Sequence, residues 1–316
     1  YGVYSMRAGN TPIASPPHKP STSWPITNLA QCRGPPPADP HAAAHAAAAY
    51  AGLARTDPEA VWVYQTWIWR GFDASHLPYL RGWISSIPPG KGLFLDQTAE
   101  WIPLWQKFGN WSYLGVDFVW CAMSTMGGNV GLYGNLEVLN RGPTAALTAA
   151  TATGGHTSIA GVGIDPEGID TNPAYYTFLL DSAWRAAAAN VSEWLDDWSR
   201  QRCGRESAAA EQGWRLLGET VYADSPDQTY EHHMGYCPTT QPFGSGWDRQ
   251  HASERASFYA PATLHRAWGL LINASATGGC PRSAAADFDI VDVGREYLSV
   301  AACNKAADAL AAATTP

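Results

Sequence analysis

The sequence predicts an α/β segment followed by an all-helical one, that is, the C-terminal half of a (β/α)8 barrel joined to a helical domain. Three observations lead there. Four short apolar runs lie between about residues 60 and 163, each separated from the next by a stretch of helical periodicity. Polar, aromatic or glycine residues follow each run. Beyond about residue 172 the strand-like runs stop and only helical periodicity continues. Short apolar strands separated by helices imply parallel pairing with crossover connections. Functional residues after the carboxyl ends of parallel strands are the mark of a (β/α)8 barrel. A doubly wound sheet shares the local pattern, but no GxGxxG or GxxxxGK[ST] stands at any strand–helix junction. A closed barrel takes eight strands, so four βα units make half of one.

The elements follow in order. Residues 1–40 hold nine of the 23 prolines, including Pro35-Pro36-Pro37, and read as coil that is disordered or foreign to the fold. An Ala-rich helix is expected over about 41–55, then a strand Ala60–Gln65 and a helix over 77–86. A second strand, Gly92–Asp96, precedes a helix over 99–108; a third, Val116–Trp120, precedes a long helix over 130–152; the fourth is Ile159–Gly163. This gives a partial barrel over 41–171. The helical domain over 172–316 is expected to hold helices at about 173–189, 192–203, 207–223, 261–276 and 284–312, with a loop at 224–250. Gly204 stops the second of these and Pro261 suits the first turn of the fourth.

Composition narrows the function classes. The 316 residues are 46% hydrophobic and only 15% charged, which excludes a chain that is disordered throughout. The net charge is −8 and no basic stripe exists to neutralise phosphates, so nucleic acid is not an expected partner. No apolar run reaches the ~18 residues of a membrane span, so no membrane partner is expected. Fifteen Trp and 14 Tyr offer platforms for sugar rings, although aromatic packing is their commoner use.

The six cysteines, at 32, 121, 203, 237, 280 and 303, form no CxxC, which argues against zinc ribbons and redox motifs. They allow 15 complete pairings, and the sequence selects none. The triplets Asn110-Trp-Ser, Asn190-Val-Ser and Asn273-Ala-Ser together lean towards a secretory route. His232-His233 lacks a third ligand at helical spacing and reads as a solvated loop, and Cys121 reads as a buried small side chain. No cofactor or metal is expected.

Glu167 is the leading catalytic candidate. It stands in Gly161-Val-Gly-Ile-Asp-Pro-Glu-Gly-Ile169, a few residues past the fourth strand, between Pro166 and Gly168. A carboxylate on a stiff turn at a barrel mouth suits attack on an anomeric carbon. The plainer alternative is an acid at a helix start.

That segment resembles the nucleophile segment of the α-N-acetylglucosaminidases, glycoside hydrolase family 89. Glu59-Ala-Val-Trp-Val-Tyr-Gln-Thr-Trp67 resembles the family's strand ending in Gln-x-Trp, and Leu95-Asp-Gln-Thr-Ala-Glu100 its Leu-Asp-Leu-Phe-Ala-Glu. Phe118-Val-Trp-Cys121 with Gly127-Gly-Asn-Val-Gly-Leu-Tyr-Gly134 resembles its Trp-Cys and Gly-Gly-Asn stretch. Trp214-Arg-Leu-Leu217, Ala267-Trp-Gly-Leu-Leu271 and Phe288-Asp-Ile-Val-Asp-Val293 resemble its helical domain. The likeness runs over about 55–305.

The resemblance implies a retaining hydrolase that releases terminal α-linked N-acetylglucosamine from a glycan, in a lysosome- or vacuole-like compartment or outside the cell. Retention uses two carboxyl groups, one attacking and one protonating the leaving oxygen. Glu167 matches the nucleophile and Trp67 an aromatic wall of the sugar site. Asp96, Gln97, Glu100 and Trp120 match positions on or behind it. The family's acid/base lies in an Asn-Glu-Met-x-Pro-Pro segment. The corresponding Leu29-Ala-Gln-Cys-Arg-Gly-Pro-Pro-Pro37 holds no acid, and Ser124-Thr125 stand where the family has His-Asn. The chain as given is therefore expected to be impaired. A non-catalytic carbohydrate-binding relative, with Trp67 and Trp120 as stacking platforms, is the alternative.

Overall fold

The computed structural model describes residues 41–107, 115–123, 132–152, 159–166, 172–223 and 259–314. These form two compact units. One comprises Tyr1–Ala122 with Ala145–Gly163, the other Met123–Thr144 with Ile164–Pro316.

The first unit is built on a sheet of four strands in the order β1-β2-β3-β4: β1 Trp62–Gln65, β2 Gly92–Asp96, β3 Asp117–Ala122 and β4 Ile159–Ile164. β1–β2 and β2–β3 are parallel, with Tyr64 level with Phe94 and Phe94 level with Phe118. Residues level across a parallel sheet share a face. Trp62, Tyr64, Phe94, Phe118 and Trp120 therefore form one face, and each is at most 3% exposed. Helix α1 (Ala42–Thr56) and helix α2 (Leu77–Ile84) pack together on this side. Trp83 of α2 meets Trp62 at 4.9 Å and Tyr64 at 4.5 Å between ring centroids. Trp69 completes the cluster, stacked on Tyr64 at 5.0 Å. Val63, Leu93, Leu95 and Val119 lie on the opposite face and are only half-buried.

The expected strands and first two helices form, with β1 starting at Trp62 rather than Ala60. The helix expected over 99–108 does not form within 99–107, where the chain makes successive turns. Pro103 has no N–H to donate. The amides of Leu104 and Trp105 instead donate to the Asp96 carboxylate, at 3.4 and 2.9 Å.

Helix α3 spans Leu136–Ala152, and the division between units falls within it. The expected start at 130 is too early, because residues 132–135 are not helical, with a bend at 132 and a bridge at 135. Gly134 has φ +144°, and a Cβ there would run into the Tyr175 ring. Asn135 pairs in an antiparallel bridge with Ala223.

The second unit is helical: α4 Pro173–Ser182, α5 Val191–Cys203, α6 Ala208–Gly218, α7 Pro261–Ala276 and α8 Ala284–Thr314. α4 stops seven residues short of the expected 189. Past Ser182 the amides of Ala183, Trp184 and Arg185 turn to carbonyls three residues back, and further on the Asn140 side chain accepts from Ala189 N and donates to Ala189 O, both at 2.8 Å, holding that residue out of a helix. Asn190 then caps α5, accepting from Ser192 N and Glu193 N. α6 ends at Gly218 rather than 223, because Tyr222 O accepts from Leu136 N (3.2 Å). Gly204 ends α5 at φ +69°, a left-handed conformation suited to glycine.

α6 and α7 pack closely; a Cβ on Gly213 would approach the Leu271 side chain at 3.1 Å. Cys203 and Cys280 form a disulfide, and Cys121 is a buried thiol donating to Val119 O. Among the described residues no helix is long and apolar enough to cross a membrane.

Candidate functional site

Of the residues singled out in the sequence, Trp67 follows β1, Asp96 ends β2 with Gln97 and Glu100 after it, and Trp120 lies within β3. Their surroundings differ, and that separates them chemically. Trp67 follows β1 in a 3-10 turn, Thr66–Trp69, and is half-buried. Its neighbours in the turn are fixed: Thr66 Oγ1 donates to Leu95 O (2.9 Å), joining the ends of β1 and β2, and Trp69 is locked in the aromatic cluster. Trp67 is thus a large side chain on a turn that is fixed on both sides and is not fully buried.

Asp96, the last residue of β2, is fully buried. The register sets it level with Trp120, on the helix-covered face of the sheet. Its carboxylate holds the turn that replaces the expected helix, through Leu104 N and Trp105 N. Gln97 follows, 6% exposed, and Ala99 N donates to Cys121 O (3.1 Å), tying this loop to β3. Glu100 is half-buried. Trp120 is 1% exposed, and its indole N–H has no hydrogen-bond partner among the described residues. Its ring shares the core face with Phe118, which stacks on Trp105 at 6.3 Å. Burial raises the Tyr64 hydroxyl above its usual range and lowers Lys107, whose ammonium donates to Arg70 O.

Glu167 lies outside the described residues, as do Ser124, Thr125 and His232-His233. In the sequence Glu167 stands three residues beyond the end of β4. β4 approaches β3 closely: a Cβ on Gly163 would fall 2.9 Å from Cys121 Sγ and 3.0 Å from Val119 Cγ1. Glycine at 163 is what lets the strand that leads to Glu167 lie so near its neighbour.

No group of three or more His, Cys, Asp or Glu that could hold a metal ion occurs among the described residues. The structure adds Thr66 to the site's framework. Its only signal in the sequence is its place between Gln65 and Trp67, and its partner is a backbone carbonyl 29 residues away.

Comparisons with known proteins place the chain in a family. The family model described as the α-N-acetylglucosaminidase (NAGLU) TIM-barrel domain matches residues 31–186, and that of the C-terminal domain matches 194–315. The human protein named α-N-acetylglucosaminidase is 29% identical over 270 residues, covering 84% of this chain and 34% of that protein. The chain therefore spans about a third of the length of the curated relative it matches.

Among solved structures, a family 89 glycoside hydrolase from Clostridium perfringens bound to PUGNAc superposes with a TM-score of 0.60 at 19% identity, over 82% of this chain and 27% of that one. The same bacterium's enzyme, doubly substituted and bound to its substrate GlcNAc-α-1,4-galactose, gives 0.61 at 20% identity, over 83% and 27%. With both domain families matched in order and the same fold in these neighbours, the chain belongs to the α-N-acetylglucosaminidase family, glycoside hydrolase family 89.

Proposed function

We propose that this chain is the part of a retaining glycosidase that supplies the nucleophile, Glu167, for removal of terminal α-linked N-acetylglucosamine. One observation carries the reading. The family's motifs stand in order at the carboxyl ends of consecutive strands: Gln65-Thr-Trp67 after β1, Asp96-Gln97 at β2, Trp120 in β3 and Asp165-Pro-Glu167 after β4. Barrel enzymes assemble their sites from such ends.

In this mechanism the Glu167 carboxylate attacks the anomeric carbon, and water later hydrolyses the glycosyl ester with retention. Trp67 stacks against the sugar. Asp96 and Trp120 act from behind, holding the loop and strand that carry the contacts, with Gln97 and Glu100 bordering the site. The cellular setting is the secretory route, with a lysosome- or vacuole-like compartment or the cell exterior as destination.

The second carboxyl group sets the test. Leu29–Pro37 holds no acid. Losing general acid help costs about 10²–10⁴-fold, and an activated aryl leaving group needs little protonation. The chain is expected to hydrolyse an aryl α-N-acetylglucosaminide measurably and GlcNAc-α-1,4-galactose far more slowly. Glu167→Gln should abolish the aryl activity, and proton NMR should show the α-anomer of N-acetylglucosamine released first. Binding of N-acetylglucosamine without turnover of either substrate would favour the non-catalytic alternative. Full aryl activity in Glu167→Gln would remove the nucleophile assignment.

A further inference from the structure

We propose that Asn273 carries an N-linked oligosaccharide. The inference is independent of the glycosidase reading and rests on three features of the helical unit.

The first is chemical: Asn273-Ala274-Ser275 is an acceptor triplet with no proline at its centre. The second is geometric. α7 buries Leu264, Ala267, Leu271 and Ala274, and its opposite side exposes Ala262, Arg266, Gly269, Asn273 and Ala276. Asn273 sits on that solvent side with small residues one turn away in each direction. Gly269 lies before it, where a Cβ would meet nothing within 4 Å, and Ala276 lies after it. Only its backbone is engaged: the carbonyl accepts from Thr277 N (2.9 Å) and Thr277 Oγ1 (2.8 Å). The side-chain amide makes no hydrogen bond among the described residues, so a bulky substituent on Nδ2 displaces nothing. Asn190 differs, since its Oδ1 caps α5 and its Nδ2 donates to Glu193 Oε1 (3.1 Å).

The third feature is the compartment. The Cys203–Cys280 disulfide closes within the same unit, and such bonds form in the oxidising secretory route, where glycan donors are found. There a polyisoprenyl-diphosphate oligosaccharide supplies the sugar. A bond forms between Nδ2 of Asn273 and the anomeric carbon as the bond from that carbon to the diphosphate oxygen breaks. Nδ2 gives up one proton and the lipid diphosphate departs. The modification occurs on the nascent chain, and the folded helix tolerates it because position 273 stays in solvent. The glycan then also lies beside Ile272, which is 41% exposed.

The test is to express the full chain with a secretion leader in eukaryotic cells and release N-glycans enzymatically in heavy-oxygen water. The peptide containing position 273 is expected to appear as heavy-oxygen aspartate. Ser275→Ala should abolish that label and Ser275→Thr should keep it, while both retain the Cys203–Cys280 linkage in peptide maps. An unlabelled Asn273 in the secreted wild-type protein overturns the proposal, as does a label that survives Ser275→Ala.

Discussion

Asp96 is the residue whose surroundings most change its meaning. In the sequence it stands beside Gln97 at the end of an apolar run, the usual place for a substrate contact. In the structure it is fully buried and bonded to two backbone amides. Hydrogen bonds to a carboxylate are stronger than neutral ones, and a buried donor left without its acceptor costs about 1–3 kcal/mol. Asp96→Asn keeps one acceptor oxygen but turns an NH2 towards an amide N–H. It is expected to lower the urea unfolding midpoint by the equivalent of about 1–3 kcal/mol with the m-value unchanged. If it left the midpoint in place and raised only KM, Asp96 would be a substrate contact and not a support for the 101–107 turn. Trp67 is the opposite case: it stands half-buried in the 3-10 turn after β1.

At the scale of elements, α8 holds the most unusual chemistry. Asp289, Asp292 and Glu296 recur along it at helical spacing and all three are buried. Arg202 forks onto Asp289 at 2.6 and 2.8 Å, and Arg295 reaches Asp292 at 2.5 Å. Glu296 accepts from Leu132 N (3.0 Å) and the Tyr259 hydroxyl (3.1 Å), and Tyr222 lies within the field of all three acids. Burial is the largest influence on Glu296. It outweighs both hydrogen bonds and Arg295, Asp292 adds to it, and the pKa rises to about 7.

An acid with a raised folded pKa favours folding while protonated. Its contribution is complete below the ordinary value of 4.5 and is lost as pH rises through about 7. Asp289 is shifted in the same direction by its burial. Asp73 and Asp287 are shifted down, so they act only on the acid side of that window. Thermal unfolding is therefore expected to show the helical unit more stable at pH 5 than at pH 8. Glu296→Gln, permanently neutral, should flatten that slope; an unchanged slope would assign the effect to other groups.

The elements also show where sequence reasoning reaches and where it stops. β2 and α7 are found within their expected bounds, because apolar runs and a proline in a first turn are local signals. The helix over 99–108 and the ends of α3, α4 and α6 fail for one shared reason. Each involves a partner that periodicity does not reveal: Asp96, eight or nine residues back, for residues 104–105, Tyr175 facing Gly134, Asn140 for Ala189, and Leu136 for Tyr222. The site divides the same way. Its motifs are readable in order, whereas which side chains face the core follows from register.

For the whole molecule, the order of strands first and helices afterwards is legible from periodicity alone, but what fastens the helical unit is not, since six cysteines allow 15 pairings. The structure selects Cys203–Cys280, which joins the end of α5 to the turn before α8 across 77 residues. Arg202, one residue before the disulfide, grips α8 in the same region through Asp289 and Ala285 O (3.0 Å). Closing a loop of that length removes unfolded-state entropy worth about 4.5 kcal/mol in the chain-entropy view. That is a large fraction of the ~5–15 kcal/mol that holds a typical domain together. Both cysteines are buried, at 7% and 6% exposure, so a reductant reaches them slowly in the folded state and substitution is the cleaner probe. Cys203→Ala/Cys280→Ala should lower the urea midpoint of the far-ultraviolet helical signal by the equivalent of a few kcal/mol, while the Arg202–Asp289 fork keeps the native contact between α5 and α8. If the double variant unfolded at the wild-type midpoint, the Arg202 fork and the α6–α7 packing would carry the unit unaided.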